Sequence, residues 1–154
     1  MTPHPERTQD YLEHMLEALE RIQRYAAGKS ATDFVADTLL QDAVLRNLGI
    51  LGEAARRLLA DSPDYAAIHP EIPFAKIYGT RNRITHGYEE VDLEIVWNLV
   101  VNDVSALLPK IVAALSEFKA FLALKPSTAL VDSAQPYIDK AASEAGVSPP
   151  TTSP

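Results

Sequence analysis

Apolar residues recur along this chain at the three- and four-residue spacing that places them on one face of a helix. The spacing predicts helices at about 6–27, 38–60, 73–86 and 93–122. Strand signals are absent, so the pattern predicts an all-α bundle in which the first two long helices are antiparallel. The apolar stripes of the three long helices are Leu12, Leu16, Leu19, Ile22 and Ala26, then Val44, Leu48, Leu51, Ala55 and Leu58, then Leu93, Val96, Val100, Val104, Leu107, Ile111, Leu115, Phe118 and Leu122.

Polar and glycine residues mark the expected helix ends. Gly28 is expected to close the first helix, because glycine readily adopts the left-handed conformation that follows a helix. Thr38 and Gln41 have the three-residue spacing of a capping box at the start of the second. Asp92 is expected to cap the last long helix, since an aspartate side chain accepts hydrogen bonds from the first helical amides.

Prolines and internal glycines modify this simple pattern. Pro70 and Pro73 predict an irregular linker before the third helix, and Pro109 predicts a kink or a split in the last one. Gly49 and Gly52 lie inside the second long helix, where each costs about 1 kcal/mol relative to alanine. Close packing against another helix, or a close-packed subunit interface, would offset that cost.

The composition changes near residue 125, which divides the chain into a helical domain at 1–124 and a tail at 125–154. Five of the eleven prolines fall between 126 and 154, together with many serine, threonine and alanine residues. Such a composition predicts a weakly ordered tail, with a loose helix as an option near 134–145. The first 124 residues are enough for one domain with its own core.

Composition also narrows the class of protein. The absence of cysteine excludes disulfides and thiolate metal sites. No uninterrupted apolar run approaches a membrane span, and the first residues lack the apolar centre of a signal peptide, so we expect a soluble, cytoplasmic protein. The net charge is −7, but residues 72–88 carry three basic residues and no acid, which leaves −10 for the remainder. A small basic site on an acidic body is typical of an enzyme that binds a few phosphates.

That basic segment contains the densest group of reactive side chains, in the run RNRITHGY at 81–88. On a helix, Asn82 and His86 lie on one face, since they are four residues apart. Arg81 lies about 140° around the helix from His86. Its side chain would have to curl toward the histidine, most easily if the helix frays before Gly87.

These residue types suit the metal-independent cleavage of RNA by its own 2′-hydroxyl. A histidine, with an ordinary pKa near ~6.5, can accept and donate protons at neutral pH. Arginine keeps its charge and holds phosphate with a planar fork, and an amide can orient an imidazole. Arg81, Asn82 and His86 are therefore the candidate catalytic residues, and Lys76 and Arg83 the candidate RNA-binding residues.

The run Arg-Asn-x3-His-x-Tyr, together with its neighbours at 52–55, 77–80 and 89–97, resembles the HEPN-domain ribonucleases, and most of all the HepT toxins. The resemblance covers roughly residues 7–122. It implies a HEPN-type helical bundle and a homodimer in which two copies of the motif face each other. It further implies a partner, a minimal nucleotidyltransferase of the MntA type, that attaches AMP to Tyr88 and silences the toxin. No metal and no resident cofactor are implied.

Each residue also has a plainer interpretation. His86 could be a cation that favours the end of a helix, and the arginines could be solvated or ion-paired. Tyr88 could be a half-buried aromatic residue, and Glu53 an ion-pair partner rather than a catalyst. The remaining histidines, His4, His14 and His69, have no companions in sequence and are expected on the surface or in loops. The competing function is a non-catalytic helical partner of a nucleotidyltransferase.

Overall fold

The computed structural model describes residues 5–87, 91–124, 137, 140 and 144–146, without the side chains of residues 5, 6 and 85. Within these residues all regular structure is helical, which confirms the all-α prediction. The elements are α1 (Pro5–Ala26), α2 (Ala31–Ala36), α3 (Thr38–Asp61), α4 (Pro63–Ile68), α5 (Phe74–His86), α6 (Leu93–Asn98), a π-helical stretch (Leu99–Val104) and α7 (Ser105–Leu124).

The long helices α1 and α3 are antiparallel, as predicted. The Thr8 and Ser62 hydroxyl oxygens, at the start of α1 and the end of α3, lie 2.6 Å apart in a buried hydrogen bond. One turn further along α1, the Tyr11 hydroxyl donates to the carboxylate of Asp61. The predicted stripes form the core between the helices, with Leu12, Leu19, Ile22, Val44, Ala55 and Leu58 fully buried.

The connection between α1 and α3 is a left-handed glycine followed by a short capped helix. Gly28 has φ +70°, the conformation expected of a residue that ends a helix. Helix α2 begins at a true capping box, in which the Ser30 side chain accepts from the Asp33 amide and the Asp33 carboxylate accepts from the Ser30 amide. Its Phe34 is fully buried and packs against Trp97, with ring centroids 5.3 Å apart.

The capping box predicted at Thr38 and Gln41 is wrong. The N-cap of α3 is Asp37, whose carboxylate accepts from the Leu40 amide. Thr38 is already helical, and the Gln41 side chain donates instead to the carbonyl of Phe34 at 2.8 Å. The glutamine therefore ties α3 to the end of α2 rather than capping its own helix.

The linker between α3 and α5 is more regular than predicted. It contains the six-residue helix α4, which begins with Pro63 at a first-turn position where a missing N–H costs nothing. The chain then turns through Pro70 and Pro73 before α5. Ile72 and Phe74, on either side of Pro73, are buried and attach this segment to the core.

The last long helix is continuous from Leu93 to Leu124, but its irregular part precedes the expected proline. Asp92 caps it as predicted, with one carboxylate oxygen accepting from the amides of Glu94 and Ile95. The backbone is π-helical at Leu99–Val104. Pro109 lies further on, within the α-helical turns of α7. The predicted disturbance therefore occurs about one turn ahead of the proline.

By length and composition alone, the helix Leu93–Leu124 is long and apolar enough to cross a membrane. In the bundle its stripe faces protein: Val96, Val100, Val104, Ile111 and Leu115 are all buried. The helix packs against α1 through this stripe. About a third (33%) of the most apolar part of the helix is buried inside the bundle, while Ile95, Val101 and Val112 on the same helix are exposed.

Candidate active site

Helix α5 carries every described residue of the predicted site. It remains helical through His86, and the Gly87 amide then donates to the carbonyl of Arg83 at 3.0 Å. Asn82 and His86 therefore lie four residues apart on an intact helix, as predicted. His86 is exposed and Asn82 is half-buried. The imidazole is thus presented at the last turn of α5.

Helix α5 packs chiefly on α3, and a glycine makes the closest part of that contact possible. A Cβ atom placed on Gly52 would lie 2.1 Å from Cβ of Arg81 and 3.3 Å from the carbonyl oxygen of Ile77. The interpretation of Gly52 as a close-packing residue is therefore confirmed. Gly49, one turn earlier, has no heavy atom within 4 Å of its Cβ position among the described residues, apart from its chain neighbours and the backbone of its own helix.

The Arg81 side chain reaches across to α3, where it meets Glu53. One terminal nitrogen of Arg81 lies 3.7 Å from Oε2 of Glu53, and about a third of each side chain is exposed (30% and 29%). The two groups form an ionic contact, because this N···O distance is too long for a hydrogen bond. Helix α5 does not fray before Gly87, and Glu53 offers Arg81 a nearby opposite charge.

Two further arginines on α3 hold the carboxylate of Glu53. Arg56 donates from Nε to Oε2 at 3.0 Å and from Nη2 to Oε1 at 2.8 Å, as a two-pronged fork. Arg57 donates from Nε to Oε1 at 3.0 Å. Hydrogen bonds from Arg56 and Arg57, with the charges of Arg56 and Arg81, lower the pKa of Glu53 to about 2 despite partial burial. Glu53 is therefore an ion-pair partner, as predicted, and stays ionised at neutral pH.

An open groove of about 600 Å³ runs between α1, α3 and α5 beside this cluster. Its lining includes the imidazole of His14 and the charged side chains of Asp42, Arg46, Glu53, Arg57 and Arg81. His14 was expected to have no companions, but the fold brings it to the groove that Arg81 also lines. Sequence reasoning missed this grouping because its members come from three helices.

The two predicted RNA-binding residues lie apart from the groove. Arg83 is exposed in the last turn of α5. Lys76 is exposed two turns earlier and lines a separate, mostly apolar pocket of about 130 Å³ together with Asp103 and Lys110. The structure therefore gathers Arg81, Asn82, Arg83 and His86 at one end of α5 and leaves Lys76 toward the other. Tyr88, the predicted modification site, lies outside the described residues.

His69 lies in the loop after α4, as expected, but it is buried and has partners, so the expectation that it has no companions is wrong. Its Nδ1 lies 2.7 Å from Oε1 of Glu71, and its ring centroid is 4.4 Å from that of Tyr65. Burial raises the pKa of Glu71, and the hydrogen bond with His69 and other favourable contacts outweigh it, so the net shift is downward. The short spacing from His69 to Glu71 was the available sequence signal for this pair.

Metal ligands are not grouped in the part of the chain that the structure describes. No set of three or more histidine, aspartate and glutamate residues there is arranged to hold an ion. The side chains that are gathered at α5 and α3 are cations, an amide, an imidazole and the carboxylate of Glu53, which is ionised and paired with arginines. This set can bind a phosphodiester and move protons.

Comparison with known proteins identifies the family to which this fold and these residues belong. The profile of the family described as "Ribonuclease HepT-like" matches residues 15–114. The "Probable ribonuclease HepT" of Thermococcus cleftensis is 36% identical over 101 residues, which are 66% of this chain and 89% of that protein. A protein named "Putative RNase" from Caldanaerobacter subterraneus subsp. tengcongensis is 33% identical over 106 residues, which are 69% of this chain and 88% of that protein.

A longer relative shows the same similarity over part of its length. The "Gamma-glutamylcyclotransferase and putative RNase" of Methanocaldococcus jannaschii is 33% identical over 107 residues, which are 70% of this chain and 47% of that protein. No solved structure matches. The family match spans α3, α5 and the predicted motif, and it confirms the predicted class of enzyme, a ribonuclease. This chain belongs to the HepT-like ribonuclease family.

Proposed function

We propose that this protein is a toxin endoribonuclease that cuts RNA without a metal, using Arg81, Asn82 and His86. The observation that carries the proposal is the grouping of these three residues on the last two turns of α5, within the segment matched by the ribonuclease family. The exposed imidazole is accessible to a large substrate. The coarser conclusion, a HepT-like ribonuclease, is independent of these residue assignments.

The reaction is a transesterification within the RNA. His86 accepts the proton of the 2′-hydroxyl, and the 2′-oxygen forms a bond to the adjacent phosphorus. The bond from phosphorus to the 5′-oxygen of the next nucleotide breaks, and that oxygen takes up a proton from an imidazolium. The products are a 2′,3′-cyclic phosphate and a 5′-hydroxyl. Proton transfer of this kind contributes about 10²- to 10⁴-fold to a rate.

Arg81 supplies the positive charge that the transition state requires. The negative charge on the non-bridging phosphate oxygens increases as the pentacoordinate species forms, and a guanidinium matches two of them with parallel N–H groups. Asn82 shares a helix face with His86 and would orient the imidazole or contact phosphate. Arg83 and Lys76 would bind the flanking phosphates, with Arg83 the nearer to His86 along α5.

A homodimer completes this mechanism, because the reaction needs both a base and an acid. Each chain contributes one motif histidine, and two copies facing each other across a cleft would supply both. The family resemblance supports this arrangement, and the position of His86 at an exposed helix end is compatible with it. We therefore place the two α5 ends near the two-fold axis.

In this proposal a nucleotidyltransferase of the MntA type controls the toxin by attaching AMP to Tyr88. Transfer of AMP from ATP forms a bond between the tyrosine oxygen and the α-phosphorus and breaks the bond from the α-phosphorus to the oxygen that bridges it to the β-phosphate. Pyrophosphate leaves, and the phenol proton passes to solvent. The product carries a negative phosphodiester and an adenosine two residues from His86. Both would keep RNA from the site, by repulsion and by bulk.

Cleavage assays on purified protein test the proposal. A defined RNA should be cut in excess EDTA to give a 2′,3′-cyclic phosphate, and His86→Ala should reduce the rate at least about 100-fold. Arg81→Ala should do the same, whereas Arg21→Ala, which removes an exposed arginine paired with Glu17 on α1, should not. A His86→Ala variant that cuts as fast as wild type would refute the assignment. Wild-type protein that binds the transferase but cuts no RNA would favour a non-catalytic partner.

A further inference from the structure

We propose that Glu53 is a positioning residue for Arg81: together with Gly52 it determines where the Arg81 guanidinium meets the scissile phosphate. The inference rests on the proposed function of Arg81 and assigns a role to a residue on a different helix. Glu53 does not touch the reacting atoms in this proposal. It acts through Arg81, by contact and by charge.

The first observation concerns the first two carbons of the Arg81 side chain, Cβ and Cγ. Cβ and Cγ of Arg81 lie over Gly52, with 2.1 Å and 2.8 Å to the position that a Cβ atom would take there. The stem of the arginine is therefore packed against the backbone of α3. Its starting direction is set by the α3–α5 contact, which leaves the outer part of the side chain directed along the surface of α3 toward Glu53.

The second observation concerns the fixed position of the Glu53 carboxylate. Both of its oxygens accept hydrogen bonds from Arg56, and one accepts a third from Arg57. A carboxylate bound by a two-pronged guanidinium has little rotational freedom. It thus gives Arg81 a stationary negative charge at 3.7 Å, close enough to attract the guanidinium and too far for a hydrogen bond.

The charge balance of the cluster also favours this role. A lone carboxylate beside a phosphate-binding arginine would repel RNA. Among the described residues, the carboxylate of Glu53 meets three arginines, Arg56, Arg57 and Arg81, and these four side chains together carry a net charge of +2. Since the pKa of Glu53 is lowered to about 2, this balance does not change across the usual pH range of an assay.

Removal of the charge with little change of shape tests the proposal. In Glu53→Gln we expect kcat to fall about tenfold, because small misplacements of catalytic groups cost one to two orders of magnitude in rate. KM should change less than about twofold. The ratio of the Glu53→Gln kcat to the wild-type kcat should be constant from pH 5 to pH 9. The matched control is Glu17→Gln, which breaks an exposed glutamate–arginine pair on α1 and should leave kcat unchanged.

A double-mutant cycle with Arg81→Ala separates this inference from the proposed function. If Glu53 acts through Arg81, Glu53→Gln should cause no further loss of kcat in the Arg81→Ala background. Equal losses in both backgrounds would overturn the inference, as would a Glu53→Gln kcat equal to that of wild type while Arg81→Ala is inactive. An unchanged kcat with a lower KM would also overturn it, because Glu53 would then be a competitor of RNA. Full activity in Arg81→Ala would instead refute the proposed function.

Thermal melting establishes that the variants are folded at the assay temperature. If Glu53→Gln is not folded, the same cycle is run with Glu53→Asp. This variant keeps the charge and draws it away from Arg81 by one methylene group, so a smaller loss of kcat that vanishes in the Arg81→Ala background is expected. A Glu53→Asp loss that persists in that background would overturn the inference.

Discussion

Gly52 on α3 lies directly beneath Arg81 on α5, so close that a Cβ atom at position 52 would be 2.1 Å from Cβ of the arginine. Non-bonded carbon atoms in folded proteins essentially never approach each other this closely. The neighbouring atoms are the first carbons of the arginine stem, which move only if the helices move. The location of the proposed phosphate-binding arginine therefore depends on the absence of a side chain one helix away.

Substitution of this glycine should separate the two helices. We expect Gly52→Ala to lower the free energy of unfolding by about 1–3 kcal/mol, the usual cost of overpacking. Gly49→Ala is the matched control: its Cβ position is open, so it should stabilise α3 by up to about 1 kcal/mol. Urea unfolding measures both. A Gly52→Ala variant as stable as Gly49→Ala would contradict the close contact.

Acid should remove the stabilising contribution of Glu53. Its pKa is about 2 in the folded protein and near 4.5 in an unfolded chain, so its contribution is fully present above about pH 4.5 and is lost as the pH falls through about 2. A shift of this size corresponds to roughly 3 kcal/mol, but for a group that is about a third exposed we expect about 1 kcal/mol. The stability difference between wild type and Glu53→Gln should therefore shrink between pH 4.5 and pH 2. A difference that does not vary with pH would contradict the assignment.

The protein should be a dimer at the concentrations at which it cuts RNA. Light scattering coupled to size-exclusion chromatography should give twice the chain mass of 16.9 kDa at micromolar protein. If two motifs are needed, specific activity should fall on dilution as the dimer dissociates. A monomer with full specific activity would show that one histidine is sufficient.

Tyrosine modification should depend on one hydroxyl group. Incubation with the partner nucleotidyltransferase, ATP and Mg²⁺ should add AMP to the protein and abolish cleavage, and Tyr88→Phe should escape both effects. Tyr78→Phe, which removes the hydroxyl of a half-buried tyrosine on α5, is the matched control and should be modified normally. Intact-protein mass spectrometry gives the result. Equal addition of AMP to wild type and Tyr88→Phe would place the modification elsewhere.

The sequence predicted the long helices well because burial follows the apolar spacing. Val44, Leu48 and Leu58 are buried where their three- and four-residue repeat placed them. Short elements were less predictable: α4 is only six residues long, which is too short for a periodic pattern. The cap of α3 was misassigned because Asp37 and Thr38 are both good capping residues, and only the backbone geometry distinguishes them.

At the site, local spacing predicted some contacts and not others. Glu53, Arg56 and Arg57 are three and four residues apart, so ion pairs along α3 follow from the helix itself. The contact from Glu53 to Arg81 joins two helices and depends on the packing over Gly52, which periodicity does not encode. The partners of His69, Glu71 and Tyr65, are only two and four residues away along the chain, whereas its burial depends on the packing of the turn between α4 and α5.

The way α5 is attached has a consequence for local unfolding. Helix α1 packs against α3 and α7, whereas α5 packs chiefly on α3. A segment with one main neighbour can detach while the remaining helices stay packed, at a free-energy cost below that of global unfolding. The backbone amides of α5 should then exchange with deuterium before those of α1 and the core of α3. The proposed site would thus belong to the least protected long segment of the bundle, and its activity on heating would be lost before the helical signal of the whole protein.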